Sequence, residues 1–159
     1  SNLTVNQQNA AGITKVFLSA FLLCLKQEQG VKEMGFVEYN LNPEQKMVGD
    51  CTVRAIATAM GQGWEKTYMD LALEGFCQHD MPSANAVWGA YLRKNGWERH
   101  TLPDSCPDCY TVRDFCKEHE KGNYILALPS HVVCVRDGDW LDTWDSAEGN
   151  PLYYWTKGE

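Results

Sequence analysis

The chain has 159 residues, enough for one domain with a substantial core and too few for two compact domains. Hydrophobic residues make up 44% of the sequence and aromatic residues 11%, which excludes a generally disordered chain. A formal net charge of −7 gives no support to nucleic-acid binding, because phosphate contacts need clustered Lys and Arg. The chain has seven Cys, an odd number, so a closed disulfide framework is not expected. We expect a reducing, cytoplasmic environment instead.

The first 33 residues are predicted to form an extension that precedes the domain. Residues 13–25 are strongly apolar and predict a helix, but they are too few to span a bilayer comfortably, so no stable membrane insertion is expected. Three interpretations stay open: a helix packed on the domain or on a second copy in a homodimer, a secretory-type region, or an appendage from upstream of the true start. The absence of a small-residue cleavage site after the segment disfavours the secretory interpretation.

The segment around Cys51 predicts a buried helix. Residues 36–39 predict a short strand and residues 40–50 a loop that carries Gln45. After this loop the apolar residues recur at helical spacing, at Val53, Ile56, Ala57 and Met60. Gly61 ends the helix. Cys51 therefore lies in the first turn, where the helix dipole and free N–H groups favour a thiolate, and it is a candidate nucleophile. The alternative is a small, inert, buried hydrophobe.

Three more helices and five strands are predicted downstream. Residues 64–76 form the first of these helices, whose inward residues are expected to be Trp64, Tyr68, Leu71 and Ala72. Ser83 is the expected N-cap of the next helix, and Thr111 with Asp114 predicts a capping box that begins a short one. The predicted strands, which we expect to form an antiparallel sheet, are residues 97–102, 124–128, 132–135, 140–144 and 152–155. Helices followed by strands predict an α+β fold.

A predicted hairpin brings a His and a carboxylate together. Its turn is Asp137-Gly138, His131 opens the first strand and Asp142 lies on the second. Such a pair fixes the imidazole tautomer and lets it act as a base. Asp145 ranks second as the orienting carboxylate, because it falls on the opposite side of an ideal strand.

Two residues close to Cys51 in the sequence bear on its reactivity. Gln45 and the backbone N–H of Cys51 could form an oxyanion hole for a tetrahedral intermediate. Asp50 is adjacent to Cys51, and its negative charge would oppose a lowered thiol pKa unless it is used elsewhere, for example in an Asx-type turn.

The order Gln, Cys, His, Asp, with Gln six residues before a Cys at a helix start, resembles the papain-like cysteine peptidase superfamily. The segment Asp142-Thr143-Trp144 resembles the Asn-Ser-Trp of that family, with Asp in place of Asn. The runs around Cys51 and His131 resemble small papain-fold proteins of bacteria and their phages more closely. The resemblance covers about residues 36–155, which places the papain-like domain at 34–159. Thr52 departs from the Gly that follows the family's Cys.

This resemblance implies a cysteine peptidase that hydrolyses amide bonds of a peptide or protein without a cofactor. Cys51 would be the nucleophile, His131 the proton carrier, Asp142 its orienter and Gln45 an oxyanion donor, and Trp144 would shield the His–Asp hydrogen bond. Two alternatives stay open. One is a papain-fold protein that binds a peptide or partner without turnover. The other is an isopeptidase or acyl transferase on the same triad, because the Asp-Cys-x-x-Arg-Ala run also resembles ovarian-tumour-type deubiquitinases.

A second group of Cys and His residues lies outside this set. Cys106, Cys109, Cys116 and His119 could supply four tetrahedral zinc ligands. The gap between the two pairs is shorter than in common zinc fingers, and Cys116 and His119 fall on the face that the helix needs for its core. A disulfide or redox pair at Cys106 and Cys109, or plain loop and core cysteines, are the alternatives.

Overall fold

The computed structural model of the protein describes residues 33–103 and 109–158. Its helices are α1 (Cys51–Met60), α2 (Trp64–Gln78), α3 (Asn85–Lys94) and α4 (Val112–Glu118). Its strands are β1 (Phe36–Glu38), β2 (Trp97–Thr101), β3 (Asn123–Leu128), β4 (His131–Arg136), β5 (Asp139–Asp142) and β6 (Tyr153–Lys157). The described chain is therefore an α+β protein, as the sequence predicts.

All six strands belong to one sheet in the order β1-β5-β4-β3-β6-β2. Every neighbouring pair is antiparallel except β1 and β5, which run in parallel. The predicted antiparallel sheet is thus confirmed for its five strands, and β1, for which no pairing is predicted, joins it in parallel. A parallel pair needs a long connection between its strands, and here that connection includes all four described helices.

Each face of the sheet carries its own hydrophobic core, because successive side chains of a strand point to opposite sides. Helices α1, α2 and α3 contribute to one core and α4 to the other. The residues of β3 and β4 that face α1 are Ile125, Ala127, Val132 and Cys134. Those that face α4 are Leu126, Val133 and Val135. This double burial explains why both strands are almost entirely apolar.

Helix α1 runs along β4 in the same direction, and this places Cys51 beside the start of that strand. At the C-terminal end of the helix, Gly61 adopts the left-handed conformation that ends it. The side chains of Asn123 and Arg136 donate to the carbonyl oxygens of Ala59 and Thr58, which are among the carbonyls that a helix end leaves unpaired. Because Arg136 ends β4, the opposite end of α1 lies near the beginning of β4.

Two turn predictions are confirmed. Thr111 and Asp114 form the full capping box at the start of α4. Asp137 and Gly138 have φ angles of 50° and 80°, the two positive values that a type I′ hairpin turn between β4 and β5 requires.

The helical predictions need two corrections. Tyr68 is 45% exposed rather than inward, and it stacks on Trp64 with ring centroids 5.1 Å apart. The buried positions of α2 follow an i, i+4, i+8 row instead, namely Thr67, Leu71 and Gly75. Helix α3 begins at Asn85 with Ala84 as its N-cap, so Ser83 lies outside it.

Within residues 33–103 and 109–158, no helix is long and apolar enough to cross a bilayer. The longest, α2, has 15 residues. The apolar segment at residues 13–25, for which we expect a helix, lies outside the described residues.

Candidate active site

Cys51 is the first residue of α1, as the sequence predicts, and it is partly buried. The N-cap residue, Asp50, makes no side-chain capping hydrogen bond. The first N–H groups of a helix have no intrahelical partner and carry the positive end of its dipole. The thiol and the backbone N–H of Cys51 therefore lie where a negative charge is stabilised.

His131 and Asp142 lie together at one end of the β4–β5 hairpin. His131 Nε2 is 2.5 Å from Asp142 Oδ2, which leaves Nδ1 of the imidazole for Cys51. Asp142 is 5% exposed, and it also accepts hydrogen bonds from Ser146 Oγ at 2.9 Å and from the backbone N–H of Thr143 at 2.8 Å. Donors thus hold both of its oxygens, so the carboxylate has one fixed orientation against the imidazole.

The contact between Cys51 and His131 shifts the pKa of both groups. Burial raises the pKa of Cys51, but hydrogen bonds from His131, the Val132 backbone N–H and Thr52, with the charge of His131, hold it below its ordinary value. Burial lowers the pKa of His131, yet the hydrogen bonds and negative charges of Asp142 and Cys51 raise it to about 9. Opposite shifts of this kind favour a thiolate–imidazolium pair over a neutral thiol and imidazole.

The Asp50 carboxylate is bound by side chains other than the Cys51 thiol. Its Oδ2 accepts from Asn42 Nδ2 at 3.2 Å and from Trp64 Nε1 at 2.9 Å. Arg54 Nε lies 3.2 Å from Oδ1, close enough for an ion pair although the geometry is not that of a hydrogen bond. Because Arg54 balances this buried carboxylate, Asp50 does not act on Cys51 as an isolated negative charge.

Arg54 also connects α1 to the end of β5. Its Nη1 donates to Thr143 Oγ1 at 3.0 Å, and Nη2 is 4.0 Å from Asp142 Oδ1. Sequence reasoning does not assign a role to Arg54 or to Ser146. The i, i+4 spacing of Asp50 and Arg54 is a usable signal for the ion pair. For Ser146 no such signal exists, because its contact depends on the loop that follows β5.

Gln45 does not offer a free donor in this structure. It has a positive φ of 55°, and its Nε2 donates to the carbonyls of Asn40 and Asn42, each at 3.0 Å. A primary amide has two N–H donors, so both are used within the loop. The predicted oxyanion role of Gln45 is therefore not supported by this loop conformation, and the N–H of Cys51 is the donor that the helix start provides.

The two residues after Thr143 have different environments. Trp144 is 50% exposed, and its ring centroid lies 5.1 Å from that of His131, so the indole covers one side of the imidazole. Asp145, the second candidate orienter, accepts from Trp140 Nε1 at 2.9 Å and from the Ala147 N–H at 3.1 Å. Asp145 thus holds the loop after β5, while Asp142 contacts the imidazole.

The candidate zinc ligands are only partly described. Cys106 lies outside the described residues, and the described ones contain no group of three or more potential metal ligands. Cys116 is buried in the core beneath α4, and burial raises the pKa of its thiol to about 12. His119 donates through Nδ1 to the Phe115 carbonyl at 2.9 Å and stacks on the Phe115 ring. Cys116 and His119 are therefore engaged in packing.

The structure thus brings together Cys51, His131 and Asp142 of the four residues named from the sequence. A thiolate, a protonated imidazole and a fixed carboxylate form the set required for nucleophilic attack followed by proton delivery to a leaving group. Comparison of the chain with protein-family models, curated proteins and solved structures finds no match.

Proposed function

We propose that the protein is a papain-like cysteine peptidase that hydrolyses amide bonds through Cys51, His131 and Asp142. The observation that carries this proposal is the placement of Cys51 at the start of α1 beside His131, whose Nε2 lies 2.5 Å from Asp142 Oδ2. The lowered pKa of the Cys51 thiol and the His131 pKa raised to about 9 agree with this arrangement. Acyl transfer from an amide through a thioester requires a nucleophilic thiol beside a general acid, and perturbed pKa values of this kind cluster at functional sites.

In the first half of the reaction, the Cys51 thiolate attacks the substrate carbonyl carbon and forms a C–S bond. The carbonyl oxygen becomes an oxyanion, which the Cys51 N–H at the helix start stabilises. The His131 imidazolium then donates its Nδ1 proton to the amide nitrogen, the C–N bond breaks and the amine leaves. A thioester and a neutral imidazole remain.

In the second half, neutral His131 takes a proton from water while the water oxygen attacks the thioester carbon. The C–S bond breaks, the carboxylic acid product leaves, and the thiolate and imidazolium are regenerated. Asp142 holds His131 Nε2 throughout, so the same Nδ1 faces the sulfur and the leaving group.

Three features support the papain-like interpretation over an unrelated Cys–His pair. The Cys begins a helix packed on the sheet, the His opens an antiparallel strand under that helix, and the Asp ends the adjacent strand. The imidazole uses Nε2 for the carboxylate. Trp144, which the sequence resemblance pairs with the Trp of the family's Asn-Ser-Trp, lies against the imidazole.

The proposal is tested by the rate of iodoacetamide alkylation against pH, with all seven cysteines followed by peptide mass. We expect Cys51 to react fastest, with a rate that titrates below the free-thiol value of about 8.5. His131→Ala should remove this advantage. Hydrolysis of a fluorogenic peptide mixture should disappear in Cys51→Ala. A Cys51 that reacts no faster than exposed Cys77 would contradict the proposal.

A second candidate is a papain-fold protein that binds a peptide without turnover, and the use of both Gln45 donors within its loop favours it. An oxyanion hole with fewer donors slows attack and deacylation. The two candidates separate with p-nitrophenyl acetate. A hydrolase releases p-nitrophenol in a burst followed by steady turnover, whereas a binding protein with a reactive thiol gives one equivalent and retains the acetyl group on Cys51.

A further inference from the structure

Arg54 is a buried cation three residues after Cys51, and the reaction steps proposed above do not use it. Its side chain is 8% exposed, and Arg is almost never buried without a partner. Its pairing with Asp50 is by itself weak evidence of stabilisation, because apolar residues in place of a buried ion pair are often as stable. The contacts of the guanidinium beyond Asp50 therefore bear on what Arg54 does.

The three candidate catalytic groups lie on elements that are joined in different ways. Backbone hydrogen bonds hold β4, which carries His131, against β5, which carries Asp142. Helix α1, which carries Cys51, packs on the sheet through apolar side chains, and such contacts have little directionality. Asn123 and Arg136 tie the C-terminal end of α1 to the sheet. A polar contact at the other end of the helix fixes the sulfur against the sheet.

Arg54 supplies this contact at the catalytic end of α1. Its Nη1 donates to Thr143 Oγ1 at 3.0 Å, and Thr143 directly follows β5. The Thr143 N–H in turn donates to Asp142 Oδ1 at 2.8 Å, and this oxygen lies 4.0 Å from Arg54 Nη2. The other oxygen, Oδ2, contacts His131 and Ser146. Holding Thr143 therefore also holds the carboxylate that orients the imidazole.

The guanidinium of Arg54 is itself fixed on the helix side. Asp50 Oδ1 lies 3.2 Å from its Nε, and hydrogen bonds from Asn42 and Trp64 hold the other Asp50 oxygen. A guanidinium is planar and presents its N–H groups at set angles, so a fixed Nε determines where Nη1 and Nη2 point. The single ammonium of a Lys cannot hold Asp50 and Thr143 in this geometry.

We propose that Arg54 is a positioning residue for acyl transfer, which fixes the start of the nucleophile helix against the His131–Asp142 pair through Thr143. It acts through Thr143 and Asp142 rather than on the reacting atoms. The proposal rests on the proposed function, because it assumes that Cys51 and His131 act together. It adds that the distance between the sulfur and the imidazole is set by a contact outside the Cys–His–Asp group.

Two substitutions in the full chain break this contact in different ways. Thr143→Val removes the hydroxyl acceptor and leaves the Asp50–Arg54 pair in place, so no charge is left unpaired. Arg54→Lys keeps the cation and loses the planar fork. We expect kcat for the best substrate of the fluorogenic peptide mixture to fall about tenfold in Thr143→Val and more in Arg54→Lys, because a displacement of about 1 Å can cost about a hundredfold in rate. KM should change less than about twofold, since neither residue is assigned to substrate binding.

The second readout is the pH dependence of Cys51 alkylation by iodoacetamide, which a purely structural residue would not change. The charged groups of this region belong to the helix start, β4 and β5, and they are Asp50, Arg54, His131 and Asp142. Thr143→Val alters none of these charges. A midpoint that rises by about half a pH unit or more, toward the free-thiol value of about 8.5, therefore reports a longer distance between sulfur and imidazole.

Ile56→Val is the matched control for a loss of stability alone. Ile56 is fully buried in the same helix, and shortening it lowers stability through packing, without changing the contacts of Arg54. Its kcat and alkylation midpoint should equal those of the wild type wherever both proteins are folded. Combining Arg54→Lys with Thr143→Val should lower kcat no further than Arg54→Lys does, because both substitutions break one contact.

The positioning role is overturned, and the proposed function left intact, if Thr143→Val and Arg54→Lys lower the free energy of unfolding but keep the kcat and midpoint of Ile56→Val. Effects of the two substitutions that multiply in the double variant would overturn the link through Thr143. The alkylation midpoint needs no turnover, so it tests the contact even in a protein that hydrolyses no peptide. If iodoacetamide does not select Cys51 in the wild-type protein, the proposed function fails, and the positioning role fails with it.

Discussion

Cys51 and Cys134 are both withdrawn from water, yet their surroundings favour opposite protonation states. Cys134 lies in the middle of β4, where burial raises the pKa of its thiol to about 12 and the charge of Arg136 opposes this only in part. Its Sγ donates to Asn123 Oδ1 at 3.8 Å, which requires the protonated form. Cys51 instead accepts hydrogen bonds from His131 and from the Val132 backbone N–H, which require an acceptor sulfur.

The difference shows that hydrogen-bond donors and a neighbouring cation lower the pKa of the Cys51 thiol although burial raises it. Burial opposes the thiolate at both sites. At the first turn of α1, N–H donors and a cation outweigh burial, whereas in mid-strand the backbone donors are used by the sheet. The substitutions discussed next change the buried charges of the Cys51 region and the side chains expected to act on Cys51 or on His131.

The largest effect is expected from Arg54→Met, which removes the cation that balances Asp50 in the Cys51 region. Both side chains are buried, so the substitution leaves a carboxylate without its counter-charge. We expect the free energy of unfolding to fall by about 3–5 kcal/mol. Urea denaturation followed by tryptophan fluorescence measures this change.

Two controls accompany Arg54→Met. Arg113→Met breaks the exposed pair with Glu148, 3.0 Å apart, and should cost about 1 kcal/mol or less. Combining Arg54→Met with Asp50→Asn removes both charges and should recover part of the loss. An Arg54 variant no less stable than the Arg113 variant would mean that the buried pair contributes nothing.

A smaller effect is expected from Asp142→Asn, and it should appear mainly in the pH dependence of peptide hydrolysis. The raised pKa of His131 keeps the imidazolium present until the pH passes about 9, so peptide hydrolysis by the wild type should decline through that value. On the acid side, activity should decline as the pH falls through the lowered pKa of Cys51. Removing the negative charge of residue 142 should move the alkaline limit down by about 1 pH unit or more.

The amide oxygen that Asp142→Asn introduces can still accept from imidazole Nε2–H, so turnover at the optimum should stay within about tenfold of wild type. The measurement is the pH profile of kcat/KM for both proteins. A matched control is Asp145→Asn, which changes a carboxylate in the loop after β5 that accepts a hydrogen bond from Trp140 and does not contact the imidazole. Its alkaline limit should equal that of the wild type. If Asp142→Asn also leaves this limit in place, Asp142 does not set the pKa of His131.

Part of the candidate site can be predicted from the sequence, and part of it cannot. Cys51, His131 and Asp142 are predictable because each is placed by regular structure: a helix with periodic apolar residues and a hairpin whose Asp137-Gly138 turn fixes where the strands begin and end. These features depend on neighbours a few residues away. Local patterns are enough to assign them.

The features that sequence reasoning misses depend on tertiary contacts or on loop conformation. Tyr68 points outward because α2 buries the face that carries Thr67, Leu71 and Gly75. The parallel pairing of β1 with β5 joins segments more than 100 residues apart. The expectation for Gln45 rests on its spacing from Cys51, but the direction of an amide side chain in a loop depends on which carbonyls the loop leaves unpaired, and spacing does not contain that information.

The smallest effect on turnover is expected from Gln45→Ala, which separates the observed role of this residue from the one expected by resemblance. In the observed loop the amide satisfies two carbonyls near the surface, so its loss should cost about 1–2 kcal/mol of stability. Turnover should fall less than tenfold, whereas removing an oxyanion donor costs about 10²–10³ in kcat. The measurement pairs kcat for peptide hydrolysis with the urea-derived free energy of unfolding for the same variant.

Gln45→Glu is the matched control, because it keeps the length of the side chain and removes both N–H donors. If Gln45 holds the loop, both substitutions lower stability and leave kcat within tenfold. If kcat falls a hundredfold while the free energy of unfolding is unchanged, the amide leaves Asn40 and Asn42 when substrate binds and donates to the oxyanion. In that case the loop that carries Gln45 would have to rearrange before the protein could turn over substrate. The free protein would then have the nucleophile in place but not the oxyanion donor of Gln45.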